Sequence, residues 1–502
     1  MRRTAALAAL LAAGAMALPA HVAAKPRTPV VVVVLDEMPV HSLLGKKGRI
    51  DRVRNPNFAA LARTSTWYAN ATTASDATKY AIPAILDGRT PKVGRPATFR
   101  GHPNNLFTLL RRQGYRLRVH EEATDLCPYR NCRRTMGARQ FLANDRIKRF
   151  RDFIADLKPS RQPMLFYEHA LLPHVPWIFL PSTRRFNRTV LGPISGLNSS
   201  DRSVFDRTLV RQSWQRHLLQ VGAVDTLLGE TVAQMKRTGL WNRAIVVVMA
   251  DHGVSFRVGA IDRRTIVPAN AKDIAPVPVF IKFPRQRRGR IDRSLFRTYD
   301  VLPTVARRIG LRLPRGLSGR AAGSRAIRRR GRISVLSRAT IGRVTLSRRA
   351  LLRAKRVALR RKIALFGQGP RSLFDFGPNR RILLDQVTRY PVAGAAGLRA
   401  ELTDPGELSD VNLGSSFVPT HVTGRVIGGR RGERRNLAVA INGYIRGVTR
   451  SVRIRGRRDE FFSFLVAEGA LVRGRNPVEV FTVSRRRGKV LLRRIYGKPF
   501  PG

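Results

Sequence analysis

The stretch VVVVVLDEM, residues 30–38, decides the fold. Six consecutive apolar residues, five of them β-branched, end abruptly in two acids. An alternating pattern would mark a strand with one wet face. A continuous run of this length marks a strand buried on both faces, as in a parallel sheet covered by helices. Three further runs have the same character: MLFYEHA at 164–170, AIVVVMA at 244–250 and VPVFIKF at 277–283. Helical patterns lie between them. One follows Asn55, one is NLFTLLRRQGY, and one is a long amphipathic stretch from RQSW to Thr238, where Gly239 stops it. Another, TYDVLPTVARRIG, stops at Gly310. Strand and helix alternate, which predicts an α/β domain.

In open α/β sheets, ligands gather beyond the carboxyl ends of the strands. Two of the buried runs end there in Asp36-Glu37 and in Asp251-His252-Gly253. Carboxylates with an imidazole, completed by a hydroxyl, form a donor set for a divalent ion. Asp36, Glu37, Asp251 and His252 are therefore the candidate ligands. Glu37 reads equally as a ligand or as the cap of the next turn.

The composition changes beyond this domain. Residues 311–370 contain no Asp or Glu and many Arg, including RRRGR at 328–332. Residues 324–370 are expected to be a solvated basic connector. From about Asp375 the pattern turns to β. Asn442-Gly443, between alternating segments, is a hairpin signal. A small β-sandwich is expected over 371–502.

The first 24 residues read as a secretory signal: Arg2 and Arg3, then an alanine-rich apolar run, then Val22-Ala23-Ala24 before Lys25. The apolar run is short for a membrane span, which takes about 20 strongly apolar residues. An extracytoplasmic protein, secreted or held at the envelope, is expected. The two cysteines, Cys127 and Cys132, suit one local disulfide in that setting. Lys and Arg number 95 against 32 Asp and Glu, a net charge of +63. Such a surface attracts polyanions: anionic lipid headgroups, wall polymers or charged glycans. No helix-turn-helix, zinc-finger or aromatic RNA-binding pattern accompanies it, so no specific nucleic-acid partner is expected.

Several motifs together resemble the sulfatase and alkaline-phosphatase superfamily. VVVVMADHGVSF resembles its DHG metal-binding strand end, and VVVVVLDEMP its first metal-binding strand. TKYAIPAILDGRTP resembles the nucleophile segment, YEHALLPHVPW the substrate-side histidine segment, and TYDVLPTVARRIG a late helix. The ordered match runs from about Val30 to Gly323. It implies an α/β/α sandwich over 25–323 with an appended β-rich C-terminal domain.

The resemblance also implies roles. Asp36, Thr78, Asp251 and His252 fall on first-metal ligand positions, and Thr78 falls on the nucleophile. Thr73 and Ser75 are the fallback nucleophiles. His174 would donate to the leaving group or a phosphate oxygen, and Lys79 would neutralise developing charge. His169 reads as a second ligand or a core histidine, with a core place or one behind the ligands favoured. His41, His102, His217 and His421 read as structural. The chain departs from the arylsulfatase pattern C/S-x-P-S-R, having Thr78-Lys79-Tyr80-Ala81-Ile82. Threonine resembles instead the phosphodiesterases, lipoteichoic acid synthases and phosphoethanolamine transferases. The implied protein is a hydrolase or transferase for phosphate esters, less so sulfate esters, using Zn, Mn, Mg or Ca. The alternatives are a non-catalytic polyanion-binding envelope protein on the same fold, or a sulfuric ester hydrolase.

Overall fold

Eight strands form the central sheet: β1 (Val30–Leu35), β2 (Thr66–Tyr68), β3 (Arg116–Glu121), β4 (Cys132–Arg134), β5 (Met164–Ala170), β6 (Ile245–Ala250), β7 (Val279–Lys282) and β8 (Arg290–Asp292). Their spatial order is β4-β3-β5-β1-β6-β7-β2-β8. The computed structural model describes residues 28–134, 145–187, 205–260, 262–430, 432–453 and 459–499. The expected signal segment lies outside the described residues.

β1 sits in the middle, parallel to β5 on one side and β6 on the other. Every one of its side chains is at most 2% exposed, so both faces of the sheet are covered. That is the physical content of an uninterrupted β-branched run. β7 departs from the expected parallel arrangement and runs antiparallel to β6 and β2. A parallel return needs a long crossover, usually a helix. Between β6 and β7 the chain makes only the four-residue helix Ala271–Ile274, so it doubles back.

The longest helix, Arg207–Arg237, packs against the helices Pro56–Ala62 and Arg146–Asp156. Its first turn is capped by Asp206, whose carboxylate accepts from the Thr208 and Leu209 amides at 2.8 and 3.1 Å. The helix also lends a cap to its neighbour. Asp225 accepts from the Asn57 and Phe58 amides at the start of Pro56–Ala62. Cys127 and Cys132 are disulfide-bonded. Among the described residues, no helix is long and apolar enough to cross a membrane.

The segment expected to be a solvated connector is instead folded onto the α/β domain. It forms a hairpin of β9 (Arg332–Leu336) and β10 (Arg343–Ser347), then the helix Arg348–Phe366. Ile333, Val335 and Leu351 join Ile266, Ala271, Ile274 and Leu295 in one apolar cluster. Lys362 is fully buried and donates to the Leu44 carbonyl. Arg54 ties the helix end down by donating to the carbonyls of Phe366 and Gly369. Arginines cover the outward faces, which hides the apolar spacing beneath them.

Beyond Asp375 the described strands form a five-stranded and a three-stranded sheet. The strands Asn436–Ile441 and Tyr444–Arg450 are joined by Asn442 and Gly443, with φ of 54° and 77°. Two positive φ values are what a tight hairpin turn of this type requires. Gln212, on the long helix, donates to the Ser463 carbonyl at 2.6 Å and joins this region to the first.

The buried connector yields a test. Leu351→Ala should lower unfolding free energy by about 2–4 kcal/mol in urea titration, the usual cost of a core cavity. A change within about 0.5 kcal/mol, typical of surface sites, would return the segment to a solvated state.

Candidate functional site

Parallel register brings the site together. Leu35 and Ala250 are partners, so Asp36 and Asp251 leave adjacent strands at the same end of the sheet. The Asp251 amide donates to the Leu35 carbonyl, and the Met38 amide to the His252 carbonyl. Asp36, Asp251 and His252 are at most 1% exposed, and each offers a donor atom within 4.8 Å of the others. His252 Nε2 lies 3.5 Å from Asp36 Oδ1 and 3.5 Å from Asp251 Oδ2. Its Nδ1 donates to the Gly253 carbonyl at 2.9 Å. That bond turns Nε2 toward the carboxylates. Burial opposes the ring's charge, but Asp251 and then Asp36 raise its pKa. Gly253 is required by close approach. A Cβ there would stand 2.5 Å from the Asp273 carbonyl oxygen.

These residues fit a divalent ion. Asp36 Oδ1 and Asp251 Oδ2 are buried and have no hydrogen-bond partner among the described residues. Burial, then the charge of Asp36, pushes the Asp251 carboxyl up to about 7. A cation between the two would satisfy both oxygens and relieve that repulsion.

Thr78 is the first residue of the helix Thr78–Asp87. Its Oγ1 lies 3.4 Å from Asp36 Oδ2 and 3.3 Å from His252 Nε2. The helix ends at Gly88, with φ of 68°. The fallback hydroxyls are occupied. Thr73 Oγ1 donates to the Asp251 and Ser75 carbonyls, and Ser75 Oγ to the Leu336 carbonyl. Lys79 is exposed, its ammonium 5.2 Å from the Tyr80 ring centre. It is adjacent to Thr78 in sequence but stands outside the ligand cluster.

Glu37, expected among the ligands, does not join them. Its φ is 60°, and its carboxylate accepts from Arg263 Nε at 3.1 Å to both oxygens. Arg263 Nη2 lies 3.0 Å from Oε1. Burial opposes ionisation, but Arg263, His174 and Arg264 hold the carboxyl far below its usual range. The oxygens that would bind a metal are taken by a guanidinium. His217, on the long helix, fixes the backbone by donating from Nε2 to the Glu37 carbonyl at 3.0 Å.

His174, expected to donate to the leaving group or a phosphate oxygen, stands against Arg263 and Glu37. Its Nδ1 donates to the Val175 carbonyl at 2.6 Å, and its Nε2 lies 3.4 Å from Arg263 Nη2. Burial lowers its pKa to about 4 against the pull of Glu37. The ring is therefore neutral at pH 7 and accepts from Arg263. Arg146, buried, supports this segment through the His174 and Val175 carbonyls.

His169 stands behind the cluster at the end of β5, its Nδ1 2.6 Å from Glu121 Oε1. Burial lowers its pKa, but Glu121, then Asp251 and Asp36, raise it to about 9. Its Nε2 is buried and has no hydrogen-bond partner among the described residues. His102 on Asp87 and His421 on Ser463 have structural bonds.

Sequence reasoning missed Arg263, Arg146 and Asp76. Asp76 is buried two residues before Thr78. Its Oδ2 accepts from the Ile266 amide and its Oδ1 from the Arg338 amide, both at 2.8 Å. The N-cap position is Ala77, so Asp76 bonds segments distant in sequence instead of capping the helix, and no local pattern marks it. The arginines gave no signal in so basic a chain.

The pH dependence of His217 checks this arrangement. Burial lowers its pKa from 6.5 to about 4. The unfolded chain therefore takes up a proton below 6.5 that the folded state refuses, and stability is lost between those values. The stability gap between wild type and His217→Asn should shrink by about 3 kcal/mol on going from pH 7 to below 4. A gap independent of pH in denaturant titrations would contradict a buried neutral ring.

Parts of the chain are similar to known proteins. Over 121 residues the chain is 26% identical to the multifunctional alkaline phosphatase superfamily protein PehA of Trinickia caryophylli, covering 24% of this chain and 23% of that protein. Over 113 residues it is 27% identical to an endo-4-O-sulfatase of Bacteroides thetaiotaomicron, covering 22% of each. The matched region thus spans under a quarter of either relative. A crystal structure of a putative sulfatase from Bacteroides thetaiotaomicron superposes with a TM-score of 0.48 at 16% identity, covering 71% of this chain and 96% of that one. A phosphonate monoester hydrolase from Silicibacter pomeroyi gives 0.47 at 16% identity, covering 62% and 79%. The sulfatase family profile matches residues 28–311, more than half of the chain and the whole of the sheet that carries Asp36, Thr78, Asp251 and His252. The chain belongs to the sulfatase family, within the alkaline phosphatase superfamily.

Proposed function

We propose that this chain is an exported, metal-dependent hydrolase or transferase of phosphate esters that uses Thr78 as its nucleophile. The observation that carries the reading is the position of Thr78 Oγ1. It is 3.4 Å from Asp36 and 3.3 Å from His252, at the first residue of a helix. Amides in a first helical turn have no intrahelical acceptors, and they favour an anion there.

Asp36, Asp251 and His252, with the Thr78 hydroxyl, would hold the ion. Bound there, a divalent ion supplies Lewis acidity that lowers the pKa of a hydroxyl and offsets charge on an ester oxygen. Thr78 Oγ1 forms a bond to phosphorus as the bond to the leaving oxygen breaks. The electron pair departs on that oxygen, and the hydroxyl proton moves toward Asp36 Oδ2. The product is a phosphothreonine. Water or an acceptor alcohol then attacks phosphorus, the Oγ1–P bond breaks, and Thr78 is restored. Arg263 is held by Glu37 and faces His174, so its guanidinium is fixed in orientation. His174, neutral and engaged at both nitrogens, leaves protonation of the leaving alkoxide to solvent.

Phosphate is favoured over sulfate by the residue itself. A threonine lacks the route to the formylglycine of the arylsulfatase pattern that this chain departs from. The strongly basic surface suits an anionic ester on an envelope polymer, or at a membrane surface.

Turnover by the chain from Lys25 onward tests the proposal. Nitrophenyl phosphate, bis-nitrophenyl phosphate and nitrophenyl sulfate would be offered with Mn, Mg, Zn or Ca. Phosphate ester cleavage should fall on the order of 10³-fold or more in Thr78→Ala. It should also vanish with chelator and return with metal. Sulfate cleavage alone, or full activity in Thr78→Ala, would overturn the reading. No turnover with any metal would favour the polyanion-binding alternative.

A further inference from the structure

The hairpin β9–β10 reaches the nucleophile segment. The Leu336 amide donates to the Ala74 carbonyl at 2.9 Å, and the Asp76 amide returns to the Leu336 carbonyl at 3.2 Å. Ser75 Oγ donates to the same carbonyl at 3.0 Å. Two residues further on, the Arg338 amide donates to Asp76 Oδ1, whose other oxygen holds Ile266. Asp76 thus fastens three segments together: the approach to Thr78, the loop carrying Arg263 and Arg264, and the hairpin turn at 337–342.

The side chains on these segments are cationic. Arg338 is 41% exposed, its Nη2 3.8 Å from Asp262 Oδ2. Asp262 spends Oδ1 on the Arg264 and Thr265 amides and belongs to the loop that bears Arg263. Arg264 is 27% exposed, with Nε 3.6 Å from Glu37. Lys79 follows Thr78 and is exposed. The acids nearby, Asp36, Glu37, Asp76 and Asp251, are buried, and Asp262 is 17% exposed. The exposed charges beside Thr78 are therefore mainly cationic, and Arg338 is fixed among them by its backbone amide on Asp76.

We infer that the turn at 337–342 is part of the substrate site, and that Arg338 binds a second anionic group of the substrate whose first is handled at Thr78. The preferred ester then belongs to a chain that repeats its negative groups. This rests on the functional reading above and adds the class of substrate to it. An exposed guanidinium whose backbone is bonded to Asp76, two residues before the nucleophile, suits a neighbouring phosphate of such a chain, which it would contact through two donors at once.

The test is direct binding of a fluorescent glycerol phosphate tetramer and of the labelled monomer to the mature chain carrying Thr78→Ala, with manganese present. The tetramer should bind at least about tenfold more tightly than the monomer, and adding Arg338→Ala should cut that preference about fivefold. Arg338→Lys should keep only part of it, retaining the charge but losing the two-donor contact, a graded loss that a merely structural role for the turn would not produce. Arg485→Ala, an exposed arginine on the C-terminal sheet, should leave the ratio unchanged. An unaltered ratio in Arg338→Ala, or an equal fall in Arg485→Ala, would overturn the inference in favour of bulk charge. Turnover of nitrophenyl phosphate without tetramer preference would retain the functional reading and lose this inference. Preference through Arg338 without any ester turnover would retain the anion site and lose the nucleophile.

Discussion

Two buried carboxylates at the ends of neighbouring parallel strands govern this structure. Asp36 and Asp251 share a side of the sheet because β1 and β6 share a register. Like charges held this close away from water repel strongly. The chain answers with His252 between them and His169, paired to Glu121, behind. It leaves one oxygen on each carboxylate without a hydrogen bond. A divalent cation is the chemical complement of that arrangement. Thr78 completes it from a helix start, where the backbone itself favours an anion.

One residue along, the same chemistry has the opposite use. Glu37 adopts a positive φ, which carries its side chain out of the cluster and onto Arg263. His217 holds that turn from the long helix, and Arg146 holds the His174 segment facing it. The cationic side of the site is thus built on an acid, and the acidic side awaits a cation. Asp76 connects both to the arginine-rich hairpin, so the basic segment contributes to the architecture as well as to the surface. Its helix contributes likewise through Leu351 and the buried Lys362.

Much of this was legible in the residues. Strands buried on both faces write themselves as unbroken apolar runs, and acids at their ends mark the ligand side of an α/β sheet. Asn442-Gly443 specified its hairpin because few residue pairs tolerate two positive φ values. The basic segment was not legible. Leu351, Ala358, Leu359, Lys362 and Phe366 follow one helical face, but arginines between them lower the local hydropathy. The direction of β7 was hidden because a buried run looks alike in either direction. The roles of Glu37 and His174 depend on Arg263, a contact 226 residues from Glu37 in the chain. No local pattern carries such a pairing.

The most direct measurement is metal-edge anomalous scattering from crystals of the mature chain grown with manganese or zinc. The account predicts one strong peak within coordination distance of Asp36, Asp251, His252 and Thr78 Oγ1, with Glu37 still on Arg263. A peak coordinated by Glu37, or a cluster closed by hydrogen bonds with the ion bound elsewhere, would contradict it.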